Sequence, residues 1–125
     1  MDFGFTQQQQ EVQGLAQQIL GQQVSASTLA QYDEYTAERF DRQLWARLHT
    51  AGLAAVALPE RFGGVGMGFA ELALFIEEVG RSIAPIPAIC HCVSATLPLA
   101  RFGTEELQER FLPGVCEGGT LLTAA

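Results

Sequence analysis

Residues 58–68 read Leu-Pro-Glu-Arg-Phe-Gly-Gly-Val-Gly-Met-Gly and run straight into Phe69-Ala-Glu-Leu-Ala-Leu-Phe-Ile-Glu-Glu-Val-Gly80. A proline fixes the backbone at the end of a short apolar run. The glycines that follow supply conformations and close approaches that a side chain forbids. A helical period then sets in: Phe69, Leu72, Ala73, Ile76, Val79 and Ile83 recur at steps of three and four and predict one broad buried face. The chain must therefore place a shaped loop at the head of a buried helix.

Glycine loops also cradle phosphates, but a dinucleotide fingerprint needs G-x-G-x-x-G and a P-loop needs Gly-Lys-Ser/Thr. Here the spacing is Gly64-x-Gly66-x-Gly68, and the chain has no lysine. The loop is read as structural.

The rest of the chain reads as helices. Thr6 with Gln9 is a capping-box pattern, followed by an apolar stripe of Val12, Leu15, Ala16, Ile19 and Leu20 with glutamines on an exposed side. Asp33 to Arg39 reads as a short polar helix with Tyr32 and Tyr35 packing at its edge. Asp41 is an N-cap, with Leu44, Trp45 and Leu48 turned inward and Gly52 ending the helix. His49 has no paired acid and is read as a surface residue. A second apolar helix opens at Pro87 and runs to Phe102, kinked or broken at Pro98, with Ile89, Val93, Leu97, Ala100 and Phe102 along it. Glu77 and Glu78 point about 100° apart on their helix, so they form a solvated edge or a tie to a neighbouring arginine. Thr104 caps the last helix, whose inward residues are Leu107, Phe111 and Leu112, and Thr120 to Thr123 reads as the start of a strand. The expected fold is all-α and bundle-like: one helical domain over 1–119, and 120–125 as the opening of a β domain outside the chain.

A length of 125 residues, 48% apolar, suits a single core of ordinary size. A net charge of -7 argues against nucleic acid as the partner. The longest apolar region, 83–100, is broken by three prolines and carries His91, which makes it a core helix and no membrane span. Cys90, Cys92 and Cys116 are odd in number and lack zinc spacing, so free thiols in a reducing cytoplasm are expected and no metal site is assigned. No signal peptide is read at the amino terminus.

Trp45-Ala-Arg-Leu48, Ala51-Gly52-Leu53, the loop 58–68, and Glu77-Glu78-Val79-Gly80 come in that order. Phe102-Gly103-Thr104-Glu105-Glu106-Leu107, Arg110-Phe111-Leu112-Pro113 and Thr120-Leu121-Leu122-Thr123 follow. The order and spacing of these pieces resemble the amino-terminal helical domain of the acyl-CoA dehydrogenases. The resemblance covers the whole chain and is least distinctive before Asp41. It implies removal of a proton α to an acyl-CoA thioester and passage of the β hydrogen as hydride to FAD, in a homo- or hetero-oligomer. In that family the carboxylate base comes from the carboxyl-terminal helical domain, and the flavin site mainly from that domain and the middle β domain. No catalytic residue is therefore assigned here, and these 125 residues alone are expected neither to turn over nor to hold FAD.

Two pairs of site residues follow from the resemblance. Leu122 and Thr123 match the start of the flavin-contacting segment, where backbone and a threonine hydroxyl meet the isoalloxazine. The family usually continues with Glu-Pro; here Ala124-Ala125 stand instead. The helix 87–102 matches the one lining the acyl-chain cavity, which would put Ile89 and Val93 near the substrate's alkyl tail. Taken as residues alone, Ile89 and Val93 are equally plain core. The alternative function is a non-catalytic partner subunit, or a helical interaction module of the same fold.

Overall fold

The computed structural model describes residues 3–33, Tyr35 and 38–124. Among them six α-helices follow in order: α1 (Gln7–Gln23), α2 (Ala26–Ala30), α3 (Arg42–Thr50), α4 (Phe69–Ser82), α5 (Leu97–Phe102) and α6 (Glu105–Cys116). Two 3-10 turns, Leu53–Ala55 and Glu60–Phe62, link α3 to α4, and a π-helix, Ile89–Thr96, leads into α5. No strand occurs among the described residues, and the all-helical expectation holds. The strand expected at 120–123 is not formed there, since a ladder needs a second strand to pair with. The short helix expected over 33–39 falls partly on residues outside the described ones. Tyr35 is 98% exposed, so the packing expected of it is not seen among the described residues.

Side-chain caps set most helix starts. Thr6 and Gln9 close their box reciprocally, at 3.2 and 3.0 Å. The Leu44 amide donates to Asp41 at 2.9 Å. Gly68 begins α4 and has no side chain to offer, so the Glu71 carboxylate reaches back to accept the Gly68 amide at 2.9 Å.

The interior falls into two clusters. In the larger, α1 lies along α4 and contributes Val12, Ala16, Ile19 and Leu20, which meet Leu72, Phe75 and Val79, with Leu44, Trp45 and Leu48 of α3 closing one end. The smaller joins Ala55, Leu58 and Phe62 to Leu112, Val115 and Cys116 of α6.

Several faces differ from the periodic expectation. On α4 the buried residues are Leu72, Leu74, Phe75, Glu78 and Val79, whereas Phe69, Ala73 and Ile83 are exposed. A carboxylate is tolerated there because Gln13 and Gln17 each donate to Glu78 Oε1 at 3.0 Å and Arg81 lies 3.5 Å from Oε2. Two glutamines of the supposedly bare face of α1 thus serve the core, while Glu77 is the solvated partner of Arg81. On α6 Gln108, Leu112, Val115 and Cys116 face inward, and Leu107 is exposed. The stretch 89–96 departs most. A π-helix bonds i to i+5 and widens the turn, so the four-residue spacing that groups Ile89, Val93 and Leu97 no longer marks one face. His91, Cys92 and Thr96 point into the core, and Ile89 and Phe102 are 59% and 82% exposed. The helical backbone runs on through Pro98, which follows the π-helix directly; the widened turn ahead of it takes up the missing N–H, so the expected irregularity appears as the change from π to α and not as a break.

The loop 63–68 folds back on the turn before it. Gly63 donates to Glu60, Gly64 to Pro59, Val65 to Ala55, Gly66 to Leu58 and Met67 to Val56, all at 2.8–3.1 Å, and Gly68 donates to Glu71. Six consecutive amides are therefore committed inside the protein, which leaves none to cradle a phosphate. Gly63 and Gly66 hold φ of 95° and 75°. At Gly64 the constraint is space: a Cβ would stand 2.2 Å from the Leu58 carbonyl oxygen. Gly64→Ala is expected to cost about 3 kcal/mol or more. Gly80→Ala, inside α4 with nothing within 4 Å of the new Cβ, is expected to stabilise by about 0.5–1 kcal/mol. Urea unfolding of the two variants checks both signs, and equal effects would contradict the close-approach argument.

Candidate functional site

At the edge of the larger cluster three aromatic side chains, Trp45, His49 and His91, converge on the segment leaving α6. Trp45 and His49 lie one turn apart on α3, and the π-helix brings His91 up against them. Ring centroids are 4.7 Å apart for Trp45 and His49, 5.3 Å for Trp45 and His91, and 6.4 Å for the two histidines. All three are buried, His91 completely. The surface position expected for His49 is thus corrected: in α3 it follows Trp45 at i+4 and shares the inward side with Leu48.

Both histidines hold the chain by its backbone, His49 at the last residue of α6 and His91 at Leu122, with opposite ring nitrogens protonated. His49 Nδ1 lies 3.3 Å from the Cys116 carbonyl, which only accepts, so His49 Nδ1 carries the proton and its Nε2 is a bare lone pair. The Leu122 amide donates to His91 Nδ1 at 2.9 Å, so in His91 the proton sits on Nε2. Gly118, with φ of 82°, packs its backbone on the His49 ring; a Cβ there would come within 2.9 Å of it. Trp45 Nε1, His49 Nε2 and His91 Nε2 are buried without a hydrogen-bond partner among the described residues, each at a cost of about 1–3 kcal/mol. Burial pushes both imidazoles below their ordinary pKa, against the raising effect of the Cys116 carbonyl beside His49 and of the Leu122 carbonyl 3.3 Å from His91 Nδ1, and the nearness of His49 lowers His91 further. The neighbouring thiols stay neutral: burial pushes Cys92 up to about 12 and raises Cys116, with Glu117 adding to the latter.

Leu122 is pinned twice, by His91 at its backbone and by the smaller core cluster at its side chain. Thr123 next to it is exposed, with no hydrogen-bond partner for its hydroxyl among the described residues. A cleft of about 520 Å³ between α3 and the segment 116–121 is lined by Phe40, Arg42, Trp45, His49 and Leu121. The second pair is not brought together. Ile89 opens on a concavity of about 310 Å³ shared with Ile76, Ile83 and Ile86, whereas Val93 packs, half-buried, against the larger core. Among the described residues no group of three or more His, Cys, Asp and Glu side chains is arranged to hold a metal ion, and no helix is long and apolar enough to cross a membrane. The three cysteines are free thiols.

Sequence reading missed the histidines, although a signal was present: each interrupts an apolar face at helical spacing, and such a residue must find partners inside. Their burial has a consequence for pH. Between about pH 7 and 8 both histidines are largely neutral folded and unfolded, and they leave stability nearly unchanged. Below the ordinary value of 6.5 the unfolded chain takes up protons that the folded protein refuses. Stability is therefore expected to fall with pH from there down to the lowered folded-state values, by at most about 1.4 kcal/mol per pH unit for each histidine. Unfolding free energies measured from about pH 8 to 5 should be flat and then decline, and replacing both histidines by asparagine should remove the decline. Stability that rises on acidification through this window would contradict the assignment.

Comparison with known proteins agrees with this architecture. A sequence model of the family described as Acyl-CoA dehydrogenase, N-terminal domain, matches residues 6–119. Acyl-CoA dehydrogenase FadE27 of Mycobacterium tuberculosis is 34% identical over 125 residues, all of this chain and 33% of that protein. A solved steroid ACAD is 41% identical with a TM-score of 0.85, covering 93% of this chain and 31% of that one. The ChsE4-ChsE5 complex from Mycobacterium tuberculosis superposes with a TM-score of 0.89 at 34% identity, covering 98% and 34%. The fold also occurs in an acyl-CoA dehydrogenase from Bacillus anthracis complexed with FAD, at 22% identity and a TM-score of 0.80 over 94% of this chain and 20% of that one, a likeness of fold alone. The chain spans about a third of the length of the curated relatives it matches. With its helical core and the match over 6–119, the chain belongs to the acyl-CoA dehydrogenase family and carries that family's N-terminal domain.

Proposed function

We propose that the intact protein is an FAD-dependent acyl-CoA dehydrogenase that introduces an α,β double bond into an acyl-CoA thioester, with sterol side-chain thioesters as its preferred class. The observation that carries the activity is the family match across 6–119, and the 41% identity to a steroid ACAD supports the substrate class. FAD, when bound, takes up the β hydrogen as hydride. This chain's part is to position and shield. Thr123, exposed at the end of a segment tied to the core, offers a hydroxyl to the flavin ring, and Leu122 anchors it. The Leu122 amide is already committed to His91, so the contact falls on the threonine. No carboxylate of this chain is assigned as the base.

Ile89 is the wall residue for the acyl chain. Its concavity is apolar, and its rim includes Ile83, a β-branched residue held at φ 55° while 73% exposed. That left-handed conformation costs roughly 1–2 kcal/mol, and strain of this kind collects at functional surfaces. Val93, turned to the core, has the lesser claim. Assembly with further copies or with a related subunit fits the likeness to the ChsE4-ChsE5 complex, and three free thiols fit a reducing cytoplasm.

A second function, a partner subunit of the same fold without turnover, is favoured by one feature: Ala124-Ala125 in place of the family's Glu-Pro. Anaerobic addition of acyl-CoA thioesters to the purified intact protein separates the two. A dehydrogenase bleaches its flavin, whereas a protein purified without flavin and inert to fatty and sterol thioesters alike is the partner subunit. Within the first function, Ile89→Trp is expected to raise KM for bulky acyl groups more than for short ones, at about 0.8 kcal/mol per methylene displaced, with Tm unchanged. Val93→Phe should instead lower stability by roughly 1–3 kcal/mol for every substrate alike. A uniform loss with Ile89→Trp would remove Ile89 from the pocket.

A further inference from the structure

We propose that His91 is the positioning residue of the flavin-contacting segment: its neutral ring, held as the Nε2–H tautomer, uses Nδ1 to fix the Leu122 amide and thereby sets where Thr123 stands. The inference rests on the proposal that Thr123 meets the flavin, and it extends that proposal to a residue that touches neither cofactor nor substrate.

Four observations converge on it. The bond is a side-chain-to-backbone contact across 31 residues, joining the π-helix to a segment that has no regular structure of its own. The acceptor belongs to a fully buried ring, so its place is set by the core. The Nε2–H of the same ring has no partner, so the ring is retained at a net cost in hydrogen bonding. His91 also lies in a π-helix, a conformation concentrated at functional sites, and the widened turn is what directs it inward alongside Cys92. His49 supports the arrangement from the other end, through Cys116 and Gly118. Between Cys116 and Leu122 the backbone is thus held at both ends by neutral imidazoles.

A packing role and a positioning role predict opposite effects for two substitutions. His91→Leu fills similar volume, removes the orphaned N–H and abolishes the acceptor. His91→Asn is smaller but keeps an acceptor oxygen near the position of Nδ1. If His91 only packs, the leucine variant is the better protein in every respect. If it positions, His91→Leu keeps or raises Tm while the peptide covering 119–124 takes up deuterium roughly three- to tenfold faster, because one hydrogen bond has gone. His91→Asn then retains the wild-type uptake despite a lower Tm. Both measurements are made on the intact protein, together with the Kd for FAD, which should weaken by a similar factor in His91→Leu alone. Thr123→Val separates the underlying proposal: an unchanged FAD Kd in Thr123→Val overturns the threonine contact, whatever His91 does. Wild-type deuterium uptake in His91→Leu overturns the clamp, and faster uptake with an unchanged FAD Kd overturns its role in positioning the cofactor.

Discussion

The close approach of Gly64 to the Leu58 carbonyl is the contact on which the two halves of this domain depend. The turn 53–62 and the loop 63–68 are paired backbone to backbone, and the side chains of the turn alternate between clusters. Leu53, Ala54 and Val56 enter the larger core, while Ala55, Leu58 and Phe62 enter the smaller. One short stretch is therefore the partition between two interiors, and it keeps its shape because its carbonyls accept from the amides of the loop. A side chain at 64 would separate the strip from the loop and unseat both sets together. Non-helical backbone this deep in a protein needs such an accounting, since each unanswered amide would cost about as much as a lost core methyl group.

Elements with local causes were legible in the sequence, and faces set by neighbours were not. The caps at Thr6, Asp41 and Thr104, and the stop at Gly52, are short-range chemistry and lie where spacing put them. The buried side of α3 is legible at Leu44, Trp45 and Leu48 because its apolar residues are few and unambiguous. α4 has apolar residues on most sides, and which of them is buried was decided by where α1 lies, which periodicity does not record. The π-helix is a harder case still. Its signature is a phase shift of one residue, invisible in a stretch whose apolar residues, Ile89, Cys90, Cys92, Val93 and Ala95, fall on most sides. That shift exposed Ile89, parted it from Val93 and turned His91 inward.

The polar residues inside the domain share a geometry. Glu78 is answered by side chains of a neighbouring helix, Gln13 and Gln17. Gln108 donates to the carbonyls of Leu99, Ala100 and Gly103 at the end of α5. His49 binds the backbone at the last residue of α6, and His91 at Leu122. In each case a buried polar side chain joins elements that apolar packing alone would leave free to slide, since hydrophobic contact carries no direction whereas a hydrogen bond fixes distance and angle. Register between elements is therefore carried by a few polar ties, and the apolar clusters supply the bulk of the stability.

That division of labour explains why the segment after α6 is held by imidazoles instead of by a strand. A strand is fixed by a neighbour's ladder, and no neighbour is present among these residues. An irregular segment whose carbonyls and amides face a core needs partners that reach it from the core side. Histidine suits this need because one ring offers a donor or an acceptor according to tautomer, so His49 can answer a carbonyl and His91 an amide with the same side chain. The choice leaves Nε2 idle in both rings and makes the segment's anchorage depend on neutrality. Protonation of His91 would turn its Nδ1 from acceptor to donor, moving the bond from the Leu122 amide to the Leu122 carbonyl, which already lies 3.3 Å away. On the proposed function, the position of Thr123 at the flavin is then a property of this domain's core and of its charge state, established before any contact with the cofactor is made.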